Sequence, residues 1–223
     1  IADHNMVVTN NSYTNADAGC PGNGAYDVVS NYIDKQMGEY EKLLHVFAAG
    51  NDGNRTCSPY PFKYATIKSG YQVAKNVLSV GALDTLYAAA AFSSRGPVND
   101  GRLKPEIMAS GFNTLSTIHG FNYGTSSGTS MASPIVAGAA TLLNEQYRKF
   151  NSGAVPQAAL IKAALCNTAE DLGNPGPDFT FGFGNLNARR AAETIENNRL
   201  YLSNVTPSLN TITVPAKIGR AHV

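Results

Sequence analysis

The chain has 223 residues, with 17 Lys and Arg against 16 Asp and Glu and a formal net charge of +1. Charged residues make up only 15%, which excludes a nucleic-acid or polyanion surface, and no apolar run reaches membrane-spanning length. The length suits one α/β domain with a substantial core. The three cysteines, Cys20, Cys57 and Cys166, are odd in number and lack a Cys-x-x-Cys pair, which argues against a structural zinc site. The first residue is Ile1 rather than methionine, so the absence of a leader sequence says nothing about export.

In chain order, Met6 to Tyr13 is a short β-rich run closed by polar residues, as a buried parallel strand would be. A loop rich in Gly, Asn and Asp follows from Asn15 to Gly24. From Tyr26 to about Glu41 the spacing of Val28, Val29, Tyr32, Ile33 and Met37 predicts an amphipathic helix. Leu43 to Ala49 is a continuous apolar run, a second inner strand, ended by the turn Gly50-Asn51-Asp52-Gly53. A turn from Val73 leads into a third inner strand that ends at Ala82. Gly128 to Ser133 reads as a loop entering a helix whose apolar run extends from Ile135 to Leu143. A second helix covers Pro156 to Ala164, with proline near its start, and Cys166 behaves as a small buried hydrophobe. A last helix runs to about Asn197. Strands alternating with helices predict an α/β fold with a doubly wound, mostly parallel sheet. The stretch from Leu200 to Pro215 changes character, as the start of a separate β-domain would.

The string Gly128-Thr129-Ser130-Met131-Ala132-Ser133-Pro134-Ile135-Val136-Ala137-Gly138 dominates the functional reading. A hydroxyl before a helix is commonly an N-cap, and Thr129 or Ser130 alone would be read so. A serine at a helix mouth also sits among unpaired N–H groups and the positive end of the macrodipole, where an oxyanion is stabilised. Gly128 removes a side chain that would block a substrate. The whole string resembles the nucleophile motif of the subtilisin-like serine proteases, the subtilases (peptidase family S8). A Gly-x-Ser-x-Gly elbow does not fit, because Ala132 stands at the second glycine. The resemblance implies a serine endopeptidase acting by acyl transfer, with Ser130 as nucleophile and a polypeptide substrate. Ala48-Ala49-Gly50-Asn51 resembles the segment whose asparagine donates to the oxyanion, so Asn51 joins the Ser130 N–H in that role, although an asparagine there also serves as a turn residue. Ser12, Tyr13 and Thr14 match the substrate-binding strand, with Thr14 where glycine is usual, and Ala48, Ala49 and Gly50 match the facing wall. Val80-Gly81-Ala82, Phe92-Ser93-Ser94-Arg95-Gly96-Pro97, Asp100 to Gly111 and Phe179 to Ala188 resemble further segments of the family. Ser110 departs from it, standing where proline is usual.

The chemistry needs a histidine to accept the Ser130 proton and a carboxylate to orient that histidine. Of the four histidines, His45 lies inside a strand as a core residue, and His4, His119 and His222 sit in none of the contexts the family uses. Two accounts are open. The chain is a C-terminal part of the catalytic domain (residues 1–197), incomplete on its N-terminal side, or it is a non-catalytic pseudoprotease that binds peptides. By the resemblance, the loops holding Cys20 and Cys57 meet at the pocket rim, so a disulfide there suits an exported, extracellular or envelope protein. The resemblance allows structural calcium and implies no other cofactor. Residues 198–217 are expected to be a linker and the beginning of a truncated β-domain. Residues 218–223, back-translated, resemble a sequencing adapter and are expected not to belong to the protein.

Overall fold

A strand that is mostly apolar on both sides has to be covered on both faces, and this organises the molecule. In the computed structural model, which describes residues 5–15 and 19–200, β2 (Leu44–Ala48) and β3 (Leu78–Leu83) are buried at every position. They are the inner strands of a four-stranded sheet of order β1-β2-β3-β4, flanked by β1 (Val8–Asn11) and β4 (Ile107–Ser110). All three pairings are parallel, with Val8 opposite Leu44, Val46 opposite Leu78 and Val80 opposite Ile107. The outer side of β4 is covered by backbone: Met108 N–H donates to Gly184 O and Leu186 N–H to Met108 O, both at 2.9 Å.

The helices occupy both faces, and the strand alternation shows it. Thr9 of β1 bonds His45 of β2, whose other ring nitrogen bonds Gln36 of α1 (Val28–Glu39). The next residue, Asn10, accepts from Ser133 of α2 (Thr129–Phe150) at 2.7 Å. Helix α1 therefore lies over one face and α2 over the other. Helix α1 is capped by Asp27, whose carboxylate accepts from Val29 N–H and Ser30 N–H at 3.0 Å each. Its Ile33 and Met37, four residues apart, point into the core. Helix α2 runs beneath the sheet on small residues: Ala132, Val136, Ala137, Ala139, Ala140 and Leu143 are all buried. Helices α3 (Ala158–Thr168) and α4 (Ala188–Glu196) complete the core, with Leu160, Ile161, Leu165, Ala191 and Ile195 buried.

Two departures from the sequence reading are informative. Helix α2 begins at Thr129, six residues before the apolar run that predicts it. Its first two residues, Thr129 and Ser130, carry hydroxyls and line a cleft, while Ala132 already packs in the core. A hairpin of β5 (Thr114–Ile118) and β6 (Asn122–Ser126), antiparallel with Leu115 opposite Thr125, has no counterpart among the elements the sequence predicts. Residues 201–217, with the expected β-domain start, and residues 218–223, with the adapter-like string, lie outside the described residues, as does His4.

Candidate active site

The parallel strands deliver their loops to one end, where α2 begins. Gly50 leaves β2 at φ 112°, a left-handed value that suits glycine, and the chain turns there. The turn is stapled to the Phe92–Ser94 segment: Ser94 N–H donates to Gly50 O at 2.9 Å, Asp52 N–H to Ser94 Oγ at 3.0 Å, and Gly53 N–H to Phe92 O at 2.8 Å. Ser93 Oγ accepts from Ala82 N–H at 3.0 Å and ties the same segment to β3. These bonds give the Phe-Ser-Ser-Arg string a physical role, that of holding Asn51 in place.

Thr129 fixes the Asn51 amide. Its N–H and its hydroxyl both donate to Asn51 Oδ1, at 2.9 and 3.0 Å, while Gly50 N–H donates to the Thr129 Oγ1 at 3.1 Å. With Oδ1 doubly engaged, the amide has one sensible orientation, which leaves Nδ2–H₂ without a partner among the described residues. The Ser130 N–H, in the first turn of α2, has no capping side chain above it because the N-cap is Gly128. Neither Thr129 nor Ser130 is thus a cap. A Cβ placed on Gly128 would stand 3.4 Å from Asn51 Nδ2 and 3.7 Å from Ser130 N. Two uncommitted donors therefore border one small space, which a side chain at position 128 would fill. The helix dipole adds positive potential, and no acidic residue in the first turn offsets it. The arrangement fits a developing oxyanion.

Ser130 is held against β1. Its Oγ donates to Ser12 O at 3.2 Å, and Ser12 Oγ donates to Ser130 O at 2.9 Å. Pro134 explains the second bond. In a regular helix the N–H of residue 134 would bond the carbonyl of residue 130, but proline has none, so Ser130 O is left for Ser12.

A cleft of about 290 Å³ collects Ser12, Tyr13, Thr14, Asn51, Asp52, Lys68, Thr129 and Ser130. Tyr13 forms its aromatic edge, packed edge-on against Phe47 and Tyr71 with centroids 5.8 and 5.4 Å apart, and burial pushes its phenol above the ordinary value. Of the second wall, Ala48 and Ala49 are 1% and 0% exposed and lie behind the cleft rather than along it. The end of β2 is covered on both faces, so these two alanines support the turn instead of facing solvent. Gly50 meets Thr14 across the gap: a Cβ on Gly50 would be 3.7 Å from Thr14 Cγ2. The Thr14 methyl thus stands close to the Gly50 turn. Beyond Thr14, Asn15 Nδ2 donates to Ser69 O at 3.0 Å, which ties the end of this segment to the loop that carries Lys68. Cys20 and Cys57 form a disulfide, Cα to Cα 5.2 Å, beside these loops.

Among the described residues that line the cleft there is no histidine. His45 is buried in β2 between Thr9 and Gln36, and burial depresses its pKa below 6.5. His119 lies at the exposed tip of the β5–β6 hairpin. Asp52 and Lys68 are cleft residues that the sequence does not single out. Asp52 follows Asn51 in a turn, and Lys68 reaches it through the long 54–77 loop, which carries no periodic pattern. Their ion pair, Lys68 Nζ to Asp52 Oδ2, spans 3.2 Å, and Arg55 Nε approaches Asp52 Oδ1 at 3.2 Å. No group of three or more His, Cys, Asp or Glu is placed to hold a metal among the described residues, and no helix there is long and apolar enough to cross a membrane.

Comparison with known proteins bears directly on this geometry. The model of the subtilase family matches residues 1–184. The chain is 35% identical over 154 residues to subtilisin DY of Bacillus licheniformis, an overlap of 68% of this chain and 47% of that protein. Over 175 residues it is 35% identical to the minor extracellular protease Vpr of Bacillus subtilis (strain 168), covering 75% of this chain and 18% of Vpr. Among solved structures it resembles a serine-to-alanine mutant of the protease domain of PatA, with a TM-score of 0.64 and 25% identity over 88% of this chain and 62% of that one. The chain thus spans about half of subtilisin DY and less of Vpr.

Proposed function

Because this chain belongs to the subtilase family, we propose that it carries the nucleophile and the oxyanion site of a serine endopeptidase. The observation that supports this most strongly is the pairing of two uncommitted donors, Asn51 Nδ2–H₂ and Ser130 N–H, around one space beside the Ser130 hydroxyl. In this reading Ser130 Oγ attacks the scissile carbonyl carbon as a base takes its proton. The carbonyl oxygen becomes an oxyanion between Asn51 and Ser130 N–H, and collapse of the adduct breaks the C–N bond and leaves an acyl-Ser130. The amine departs with the proton, and water then releases the acid. Ser12, Tyr13 and Thr14 lie along the bound chain, with Gly50 across from them.

The base and its orienting carboxylate are assigned to a part of the protein outside this sequence, since Ser130 Oγ here bonds Ser12 O and no described histidine lines the cleft. The Cys20–Cys57 bridge and the similarity to the minor extracellular protease Vpr support an exported protein. The resemblance to the family leaves room for calcium at a site not identified in this chain. A fluorophosphonate probe applied to the full-length protein tests the reading. Labelling at Ser130 that disappears in Ser130→Ala supports a protease. Absence of labelling in a folded protein that still binds peptides would make it a pseudoprotease.

A further inference from the structure

Resting on that protease reading, we propose that the β5–β6 hairpin is an exosite, a second binding surface outside the cleft that takes an extended, uncharged stretch of the same polypeptide substrate. The hairpin is tied to the cleft at its base. Gly111 N–H donates to Leu83 O at 3.0 Å, Gly128 N–H to Gly111 O at 2.8 Å, and Asn113 N–H to Ser127 Oγ at 2.9 Å. Strand β6 ends at Ser126, and α2 with its nucleophile begins at Thr129, so the foot of the hairpin adjoins Ser130. Outward from that base the hairpin is uncovered. Its strands pair with each other alone, and among the described residues no backbone bond joins residues 114–126 to another segment. Leu115 lies opposite Thr125 and Thr117 opposite Tyr123, which puts Leu115 and Tyr123 diagonally on one face. Each of the two is 68% exposed. On the other face Ile118 folds over Gly124, where a Cβ would come within 3.0 Å of Ile118 Cδ1. The hairpin thus partly closes one face by itself and leaves the Leu115–Tyr123 face open.

Sheet edges exposed in this way are usually blunted by a charge or a proline. Here neither is present: from Ile107 to Ser133 the chain has no Asp, Glu, Lys, Arg or Pro. The open backbone groups suit one more strand, added by main-chain hydrogen bonds with its apolar side chains laid on Leu115 and Tyr123. The lack of charge favours an uncharged strand, and it disfavours a lipid surface, which proteins commonly meet with Lys and Arg. Size then decides between a second copy of the chain and the substrate. Two paired strands of five residues each offer a face of about 17 by 10 Å, far below the roughly 800 Å² per partner that a stable complex buries. A substrate already lodged in the cleft needs much less, because its second contact is made within the same complex.

The test uses the full-length protein and a short peptide that it cleaves, lengthened on the amine side or on the acyl side. The extension is alternating Val and Thr in one series and alternating Glu and Lys in the other. The expected result, on one of the two sides, is a KM for the Val–Thr peptide about tenfold below that for the Glu–Lys peptide, with kcat alike, as burial of one apolar side chain gives. Leu115→Lys combined with Tyr123→Lys should abolish this difference while the unextended peptide is cut at the wild-type rate. Both are surface positions, so the denaturation midpoint should match that of wild type. Equal KM values on both sides, or a difference that survives in the double variant, would overturn the proposal while leaving the protease reading intact. A dimer, or adsorption to phosphatidylglycerol vesicles, that the double variant abolishes would overturn it too, by assigning the hairpin to a second copy or a membrane. Should no peptide be cut, anisotropy of the same labelled peptides is measured on the folded protein instead. Tighter binding of the Val–Thr peptide that is lost in the double variant supports the exosite even as the protease reading falls, and equal binding refutes it.

Discussion

Two clusters of polar groups sit within this fold, and they are built on opposite terms. Around Glu106, at the start of β4, every carboxylate oxygen is engaged. Oε1 accepts from Lys104 Nζ and Lys162 Nζ at 2.6 and 2.9 Å, and Oε2 accepts from Ser79 N–H at 2.7 Å. The two lysines bond the carbonyls of Ala74, Lys75 and Val77 as well. Lys104 is 1% exposed, and burial lowers its pKa to about 8 despite the neighbouring carboxylate. The same two ammonium groups outweigh desolvation at Glu106 and hold its carboxyl below the ordinary range. Around Ser130 two amide donors, Asn51 Nδ2–H₂ and Ser130 N–H, are left open among the described residues. A buried cluster that is fully paired specifies the packing of loops on the sheet. A cluster with donors held in place and unpaired is prepared for a charge that arrives later.

This contrast predicts that substitutions in the two places fail in different assays. The largest effect belongs to Ser130→Ala in the full-length protein. It should lower kcat by about 10⁶, while the unfolding free energy stays within about 0.5 kcal/mol of wild type, because the hydroxyl makes one exposed bond to Ser12 O. Chemical denaturation beside steady-state kinetics checks both halves, and a large stability loss would remove the distinction. Glu106→Ala should do the reverse. It strands two ammonium groups, one fully buried, and should cost about 3–5 kcal/mol, read as a shift in the denaturation midpoint with kcat of the surviving folded fraction little changed. Activity loss without destabilisation would mean that the Glu106 cluster serves the cleft instead.

A smaller effect separates core from cleft by pH. His45 titrates below its unfolded value because burial disfavours the imidazolium. As pH falls through 6.5, the unfolded chain takes up a proton that the folded one refuses, so stability drops on the acid side of that value. His45→Gln should flatten this slope by no more than about 1 kcal/mol over one pH unit, seen by denaturation at pH 7 and below. An unchanged slope would place the acid sensitivity elsewhere.

How far the sequence shows these arrangements depends on burial. Strands β2 and β3 are legible because each is covered on both faces, and a run as short as Leu43 to Ala49, apolar but for His45, suits an inner strand better than a helix. His45 is legible as a core residue for the same reason. Helix α1 is legible from Ile33 and Met37, but the start of α2 is not, because its first two residues, Thr129 and Ser130, line the cleft and give no apolar signal. The β5–β6 hairpin escapes notice since Leu115, Ile118, Phe121 and Tyr123 are all exposed, so alternation has no inside and outside to report. In the site, Ser130, Asn51 and the Ser12–Thr14 wall stand out through their strings of neighbours. The Thr129 grip on the Asn51 amide and the Lys68–Asp52 pair do not. They join residues brought together only by the fold, 78 positions apart in the first case.

Asn51 Nδ2–H₂, on this account, is kept unpaired for the transition state. The most direct measurement is steady-state kinetics of Asn51→Ala in the full-length protein, with kcat and KM determined separately. The expected result is that kcat falls by about 10²–10³ while KM stays nearly constant, the signature of a contact made only as the oxyanion forms. A KM raised to the same degree with kcat intact would contradict it, placing Asn51 among the groups that bind the ground-state substrate.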